Sequence, residues 1–332
     1  MALPKVLLTN PIDPSGEEIL RGVAQIARAP DTRAETLNAL VADAEILIVR
    51  AFLPADIFER PNRLRGVVRH GVGLDMIPME SATAHGIPVA NVPGSNAEAV
   101  AEHAIAGMLL VARQIHRMDR ELRDIDWPAS RKRSEASTEL FGRTLGIVGM
   151  GNVGTRIAEI ASAGFRMRVL GTATRSRVLP SCVESTPLDK IFRESDYIVL
   201  ACPLTAETRH LVNAERIALM KPDAALVNVA RGPVVDEGAL ADALAARRIR
   251  GAVLDVFEEQ PLRRNHPFLH LDNVILTPHA AGITEESMKR MSLGAAEEAV
   301  RLLAFERPHN LCNPEVWGRH LQRHDITEKA PR

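Results

Sequence analysis

Arg231, Asp255, Gln260 and His279 each stand in or just past a short apolar run, in Asn228-Val-Ala-Arg-Gly232, Leu254-Asp-Val-Phe-Glu-Glu-Gln-Pro261 and Leu276-Thr-Pro-His-Ala-Ala-Gly282. A guanidinium offers parallel N–H donors that match a carboxylate. An imidazole exchanges a proton near neutral pH. A third element is Gly142-Arg-Thr-Leu-Gly-Ile-Val-Gly-Met-Gly-Asn-Val-Gly154. There the apolar run Leu145–Val148 enters Gly149-x-Gly151-x-x-Gly154, and a helical pattern with Ile157, Ala158 and Ile160 follows. Between strand and helix, three glycines at this spacing permit the tight turn, the approach of a pyrophosphate and close helix–strand packing. The amides opening the helix hold the phosphates. Combined, these parts describe hydride transfer. The arginine holds and polarises a 2-oxo acid, a nicotinamide gives hydride to its carbonyl carbon, and the histidine protonates the oxygen.

The elements that position such residues must form more than one core, since 332 residues exceed what one compact core serves. Composition is that of an ordinary globular protein, 46% hydrophobic and 25% charged, so disordered and fibrous classes drop out. The formal net charge of −1 gives no footprint for nucleic acid or an anionic membrane. Arg131-Lys-Arg133 reads as a solvated loop. No apolar run is long enough to span a bilayer, and the first residues read as a strand rather than a signal peptide. Cys182, Cys202 and Cys312 have no metal-like spacing and read as reduced thiols of a cytoplasmic protein; no metal site is expected.

Along the chain, Val6–Leu8, Ile46–Val49, Gly66–Val68 and Ile87–Ala90 read as strands. Helices are expected near 15–28, 33–42, 54–59 and 76–85. This first α/β domain lacks a phosphate fingerprint and suits a small substrate. Ala97 to Met118 reads as one long helix able to reach from one domain to another. His103 and His116 on it are read as structural. From Leu140, six strands are expected at 145–148, 168–170, 197–200, 225–228, 252–256 and 274–276, the signature of a doubly wound dinucleotide domain. A helix over 284–304 returns to the first domain, and the chain from Gly318 reads as a loosely held tail. The fold class is therefore α/β, two Rossmann-like domains with doubly wound parallel sheets. The substrate domain, 1–96 plus 287–332, is built from both chain ends around a dinucleotide domain, 97–286.

These segments resemble the D-isomer-specific 2-hydroxyacid dehydrogenases over nearly the whole chain. The resemblance is carried by Arg69–Asp75, Asn96–His103, Gly149–Gly154, Cys202–Arg209, Asn228–Leu240 and Thr277–His279. It implies Arg231 as the substrate-binding arginine, His279 as acid/base with Gln260 as its partner, and the amides around Val72 and Gly73 as a carboxylate grip. For the cofactor it implies Gly149, Gly151, Asn152, Val153, Gly154, Thr174, Arg175, Pro203, Thr208, Ala230, Asp255 (on the nicotinamide carboxamide) and Gly282. It implies a homodimer joined through 97–140, with Trp127 anchoring the segment that meets the partner. The expected activity is NAD(P)-dependent reduction of a small 2-oxo acid, of glyoxylate or hydroxypyruvate type, to the D-2-hydroxy acid.

Two departures modify that expectation. The glutamate usual before Pro261 is Gln260, which orients the imidazole but supplies no charge. His279 is thus expected to be less basic than in relatives, with reduction favoured at lower pH. Glu258 is the alternative partner for the ring. At the end of the second strand, Ala173 stands where an NAD enzyme places an acid, followed by Thr174, Arg175 and Arg177. That favours NADP over NAD. Other readings are a phosphoglycerate dehydrogenase-type enzyme, although the chain offers no room for an added regulatory domain, and formate oxidation, suggested by the Gln–His pair and Asn96. A reading of another class is a cofactor-sensing, co-repressor-like scaffold. His70 borders the presumed carboxylate loop, either touching substrate or fixing the loop.

Overall fold

The computed structural model describes residues 3–172 and 178–326. Its contacts divide into two compact units, Met1–Asn96 with Ile283–Arg332, and Ala97–Gly282.

In the first unit five strands form a parallel sheet of order β2-β1-β3-β4-β5. They are β1 Lys5–Leu8, β2 Gln25–Arg28, β3 Ile46–Val49, β4 Gly66–Arg69 and β5 Val89–Ala90. The strand sequences are nearly all apolar because both faces are covered. Val6, Leu8, Ile46 and Ile48 face one core, which includes Ala295, Ala299 and Leu302 of the helix Glu285–Leu303. Leu7, Leu47 and Val49 face the other. Strand β2 lies where a helix to residue 28 was expected. The helix ends at Arg21, and the chain turns at Gly22 to pair alongside β1. Residues 54–59 form turns rather than a helix.

The C-terminal segment also departs from expectation. Trp317–Arg323 is helical, and Trp317 and Leu321, one turn apart, are buried with Val6, Leu20 and Leu303. Their i, i+4 spacing marks a packed helix face rather than a loose tail.

The second unit carries a parallel sheet of order β12-β11-β10-β9-β6-β7-β8. Its strands are β6 Thr144–Val148, β7 Arg168–Thr172, β8 Val183–Ser185, β9 Tyr197–Leu200, β10 Ala225–Asn228, β11 Gly251–Leu254 and β12 Val274–Leu276. Six of these match the expected strands; β8 is a short edge strand without an apolar run. Strand order reverses between β6 and β9, and in such sheets ligands bind beyond the C-terminal strand ends at that point. The helix beginning at Ala97 stops at Arg113. Gln114 takes a left-handed conformation (φ 51°), and a second helix, Ile115–Asp124, leaves in a new direction. Gly107 lets the first helix approach β11, since a β-carbon there would meet Val253 at 2.7 Å.

Candidate active site

The glycine loop sits at the reversal point. Gly149 has φ 100°, and a β-carbon on it would fall 2.5 Å from the nitrogen of Cys202, just past β9. A β-carbon on Gly154 would fall 2.1 Å from the carbonyl oxygen of Gly149. Only glycine lets β6, β9 and the helix Asn152–Phe165 come this close. Gly151 caps that helix with no side-chain hydrogen bond. The helix-opening amides of Asn152, Val153 and Gly154 are therefore left for an anion. This cradle fits a dinucleotide pyrophosphate. Cys202 beside it is buried, which pushes its thiol pKa up and keeps it protonated. Pro203 and Thr208 follow β9, where Thr208 Oγ1 donates to Pro203 O at 2.7 Å and receives the Thr205 amide at 2.7 Å, a local turn that sets the loop. Thr174 and Arg175 lie outside the described residues.

Arg231 follows β10. Asn228, 1% exposed, is an anchor that sequence reasoning passed over. Its Nδ2 donates to Arg231 O at 3.0 Å and its Oδ1 accepts from Ala230 N at 3.0 Å. The strand end thus turns around one buried amide, and Arg231 is presented with its Nη1 on Ala230 O at 2.6 Å. Gly232, the next residue, lies against the Phe257–Glu258 peptide.

That peptide begins the segment holding Gln260. Gln260 Nε2 donates to Phe257 O at 3.3 Å, and its Oε1 lies 3.0 Å from His279 Nδ1. The pairing expected from sequence is present. Glu258 is not the partner of this ring. Its Oε1 lies 2.7 Å from His210 Nε2, while its amide donates to Glu237 Oε1 at 2.8 Å.

Asp255 is 2% exposed and builds the loop that carries His279. Its Oδ1 accepts from Thr277 Oγ1 at 2.6 Å and Ala280 N at 2.8 Å, and its Oδ2 from Ala281 N at 3.0 Å. His279 itself takes φ 55° and donates its amide to Asp255 O at 2.8 Å. Thr277 Oγ1 also meets His103 Nε2 at 3.2 Å, so His103 supports the same loop. Because the threonine proton goes to Asp255, the histidine is the donor in that contact. The sequence signal for His103 was weak, since its partner lies 174 positions away. Gly282 closes the loop and the unit.

In the first unit, the loop after β4 has its carbonyls tied inward. Arg69 donates to Gly73 O at 3.0 Å, Asn91 to Val72 O at 2.8 Å and Val92 N to Gly71 O at 2.9 Å. Among the described residues, the amides of Val72 and Gly73 donate to no protein acceptor. His70 is buried, with its Nε2 2.8 Å from Ser292 Oγ. Ser292 donates onward to Met288 O at 2.7 Å, so the histidine donates and fixes the loop to the helix Glu285–Leu303. Burial, together with Arg50 and Arg69, pushes the His70 pKa down to about 3, so the ring is neutral.

The family model for the D-isomer specific 2-hydroxyacid dehydrogenase NAD binding domain matches residues 105–281. The chain belongs to that family. A glyoxylate reductase from Aeropyrum pernix is 39% identical over 328 residues, covering 95% of this chain and 98% of that protein. A D-3-phosphoglycerate dehydrogenase from Methanocaldococcus jannaschii is 37% identical over 318 residues, covering 93% of this chain and 59% of that protein. Among solved structures, an NADPH-dependent glyoxylate/hydroxypyruvate reductase from Sinorhizobium meliloti, in complex with NADP and malonate, superposes with a TM-score of 0.81. Its identity is 27%, and the match covers 99% of this chain and 100% of that one. The family is one of nicotinamide-dependent oxidoreductases, and among the described residues no cluster of metal-ligand type occurs. No helix among them is long and apolar enough to cross a membrane.

Proposed function

We propose that the protein reduces a small 2-oxo acid, of glyoxylate or hydroxypyruvate type, to the D-2-hydroxy acid with NADPH favoured over NADH. The observation that carries this reading is the convergence of three strand-end loops. Gly232 lies against the segment that leads to Gln260, and Gln260 holds His279. Arg231 takes the substrate carboxylate and withdraws electron density from the adjacent carbonyl. The amides of Val72 and Gly73 are assigned to the same carboxylate. His279 delivers the proton to the developing alkoxide while Gln260 holds the ring by its Nδ1 side. Bound reduced nicotinamide supplies the hydride. The amides of Gly151, Asn152, Val153 and Gly154 would hold its pyrophosphate, and Pro203, Thr208, Ala230 and Gly282 would line it. Asp255 has lone pairs left for the carboxamide after its three donors.

The preference for NADPH is supported by Ala173 in place of an acid and by Thr174, Arg175 and Arg177 beside it. A homodimer is supported by apolar side chains along the arm after Gln114: Ile115, Leu122, Ile125 and Phe141 are exposed, and Trp127 is 70% exposed. Its free cysteines support a cytoplasmic setting.

Steady-state kinetics on a panel of 2-oxo acids with both cofactors tests the reading. Turnover that disappears in Arg231→Ala, with cofactor binding retained, supports an enzyme. Turnover unaffected by that substitution, or none in the parent, supports the cofactor-sensing scaffold instead.

One observation favours a second substrate reading. Arg50 is half-buried, and its guanidinium meets Pro11 O and Met288 Sδ. Among the described residues no carboxylate pairs with it. A 2-hydroxy acid with a second anionic group, of the phosphoglycerate type, would supply that charge. Loss of activity on such a substrate alone in Arg50→Ala would support this reading.

A further inference from the structure

Resting on the proposed function above, we propose that Glu237 is a positioning residue for the reduction: through a single peptide group it holds Gln260 with its oxygen toward His279. Asp236, not Glu237, caps the helix Glu237–Ala245, its Oδ1 accepting from Ala239 N at 3.0 Å. The Glu237 side chain, 13% exposed, turns instead to the segment after β11. Its Oε1 accepts from Glu258 N at 2.8 Å, and its Oε2 meets His266 Nε2 at 3.1 Å. His266 Nδ1 accepts from Phe268 N at 3.3 Å, so the hydrogen of the neutral ring is on Nε2 and points to Glu237. Each carboxylate oxygen thus has a donor.

The amide that Glu237 holds belongs to the peptide group whose other edge holds Gln260. Phe257 O accepts from Gln260 Nε2 at 3.3 Å, and Gln260 Oε1 lies 3.0 Å from His279 Nδ1. A peptide group is planar, so fixing the direction of its N–H fixes that of its C=O. Gly232 covers one face of the same group. The orientation of Gln260 follows. A backbone carbonyl only accepts, so the NH₂ end of the side-chain amide faces Phe257 and the oxygen faces the ring. Were the peptide to turn, either end of the amide could face His279. This selection concerns Gln260 alone and holds whatever further contacts the ring makes.

A neighbouring link on this segment is of another kind. Glu258 Oε1 lies 2.7 Å from His210 Nε2, but that contact holds a side chain rather than the peptide group, and its members are 39% and 47% exposed. An exposed pair of this kind contributes little. His210 is therefore the comparison: it touches Glu258 and leaves the support of Gln260 alone. Glu237 offers no such latitude. A glutamine there matches it in size, but one end of its amide donates, so it cannot accept from both Glu258 N and His266 Nε2.

The experiment uses the full-length protein with NADPH and whichever 2-oxo acid of the panel is turned over fastest. Glu237→Gln is expected to lower kcat about tenfold, the scale of one hydrogen bond to a charged group, with the KM for NADPH unchanged. In a Gln260→Ala background the same substitution is expected to change kcat by less than about twofold. Glu237→Ala is measured in the same two backgrounds. A residue that only supports the fold lowers kcat by the same factor in both. Spectra correlating ¹H with ¹⁵N in the cofactor-free protein add a readout that needs no turnover. The side-chain amide pair of Gln260, assigned by its loss in Gln260→Ala, is expected to shift in Glu237→Gln and to stay in place in His210→Ala. An undiminished fall in the Gln260→Ala background, or a Gln260 amide pair unmoved by Glu237→Gln, overturns this proposal and leaves the proposed function standing on Arg231-dependent turnover. No turnover in the parent, or turnover that survives Arg231→Ala, overturns the proposed function and this proposal with it.

Discussion

Gly232 lies flat against the peptide after Phe257: a β-carbon on it would fall 1.9 Å from the carbonyl carbon of Phe257 and 2.3 Å from the nitrogen of Glu258. The residue following Arg231 is therefore the place where the loops after β10 and β11 touch. Gly232→Ala must push them apart, and with them Arg231 from Gln260. Overpacking of this kind costs about 1–3 kcal/mol. The expected outcome is a melting temperature lower by about 5 °C and a fall in kcat/KM of about a hundredfold, because misplacement near 1 Å has that effect. Calorimetry and steady-state kinetics check the two parts separately.

Gln260→Glu places a carboxylate where a neutral carbonyl oxygen now meets His279 Nδ1 at 3.0 Å. A charge-assisted hydrogen bond contributes about 1.5–3 kcal/mol against about 1 for a neutral one. The difference favours the imidazolium by about one pH unit. The pH–rate profile for 2-oxo acid reduction should move up by that amount; an unmoved profile would show that the ring's partner does not set its protonation.

Arg175 lies outside the described residues, so the prediction for it rests on sequence. Removing a cation that attracts a 2′-phosphate, by Arg175→Ala, should reduce kcat/KM for NADPH by about tenfold, in line with a charged hydrogen bond. Its effect on NADH should be small. A strong preference of the parent protein for NADH would refute the cofactor assignment.

His320, 1% exposed, sits among Trp317, Phe305 and His324. Burial, then His324, Arg323 and Arg65, pushes its pKa from 6.5 down to about 4. A group that protonates more readily in the unfolded chain favours unfolding as pH falls. Its contribution is whole above pH 6.5 and is lost progressively between there and pH 4, at up to about 1.4 kcal/mol per pH unit. His320→Phe should therefore flatten the loss of stability between pH 6.5 and 4 in urea titrations. An unchanged acid limb would assign that loss to His70, depressed still further, to about 3.

Much of this protein is legible without coordinates. The apolar runs at β1, β3, β6, β9 and β10 are strands because a parallel sheet is buried on both faces, and that leaves a sequence no room for alternation. The glycine spacing of 149–154 states its own requirement for close backbone approach. Arg231, Gln260 and His279 stand out in the sequence because each follows an apolar run, and the fold sets Gln260 Oε1 beside His279 Nδ1. Elements that depend on neighbours do not stand out. Gln25–Arg28 is a strand only because β1 lies beside it, and Trp317–Arg323 holds as a helix because a core accepts Trp317 and Leu321. The turn at Gln114 interrupts a pattern that reads as one continuous helix.

What the amino-acid order determined by itself is local: strand, turn and helix types, and which chemical groups end up at strand ends. Which groups face each other was decided only by the folded chain. Asp255 gathering the amides of residues 280 and 281, His103 reaching Thr277, and Glu258 committed to His210 all join residues on different elements of the chain. A hydrogen bond has a reach of about 3 Å whatever the separation along the chain. Its partners are therefore set by how the sheet brings strand ends together, which periodicity and spacing do not encode.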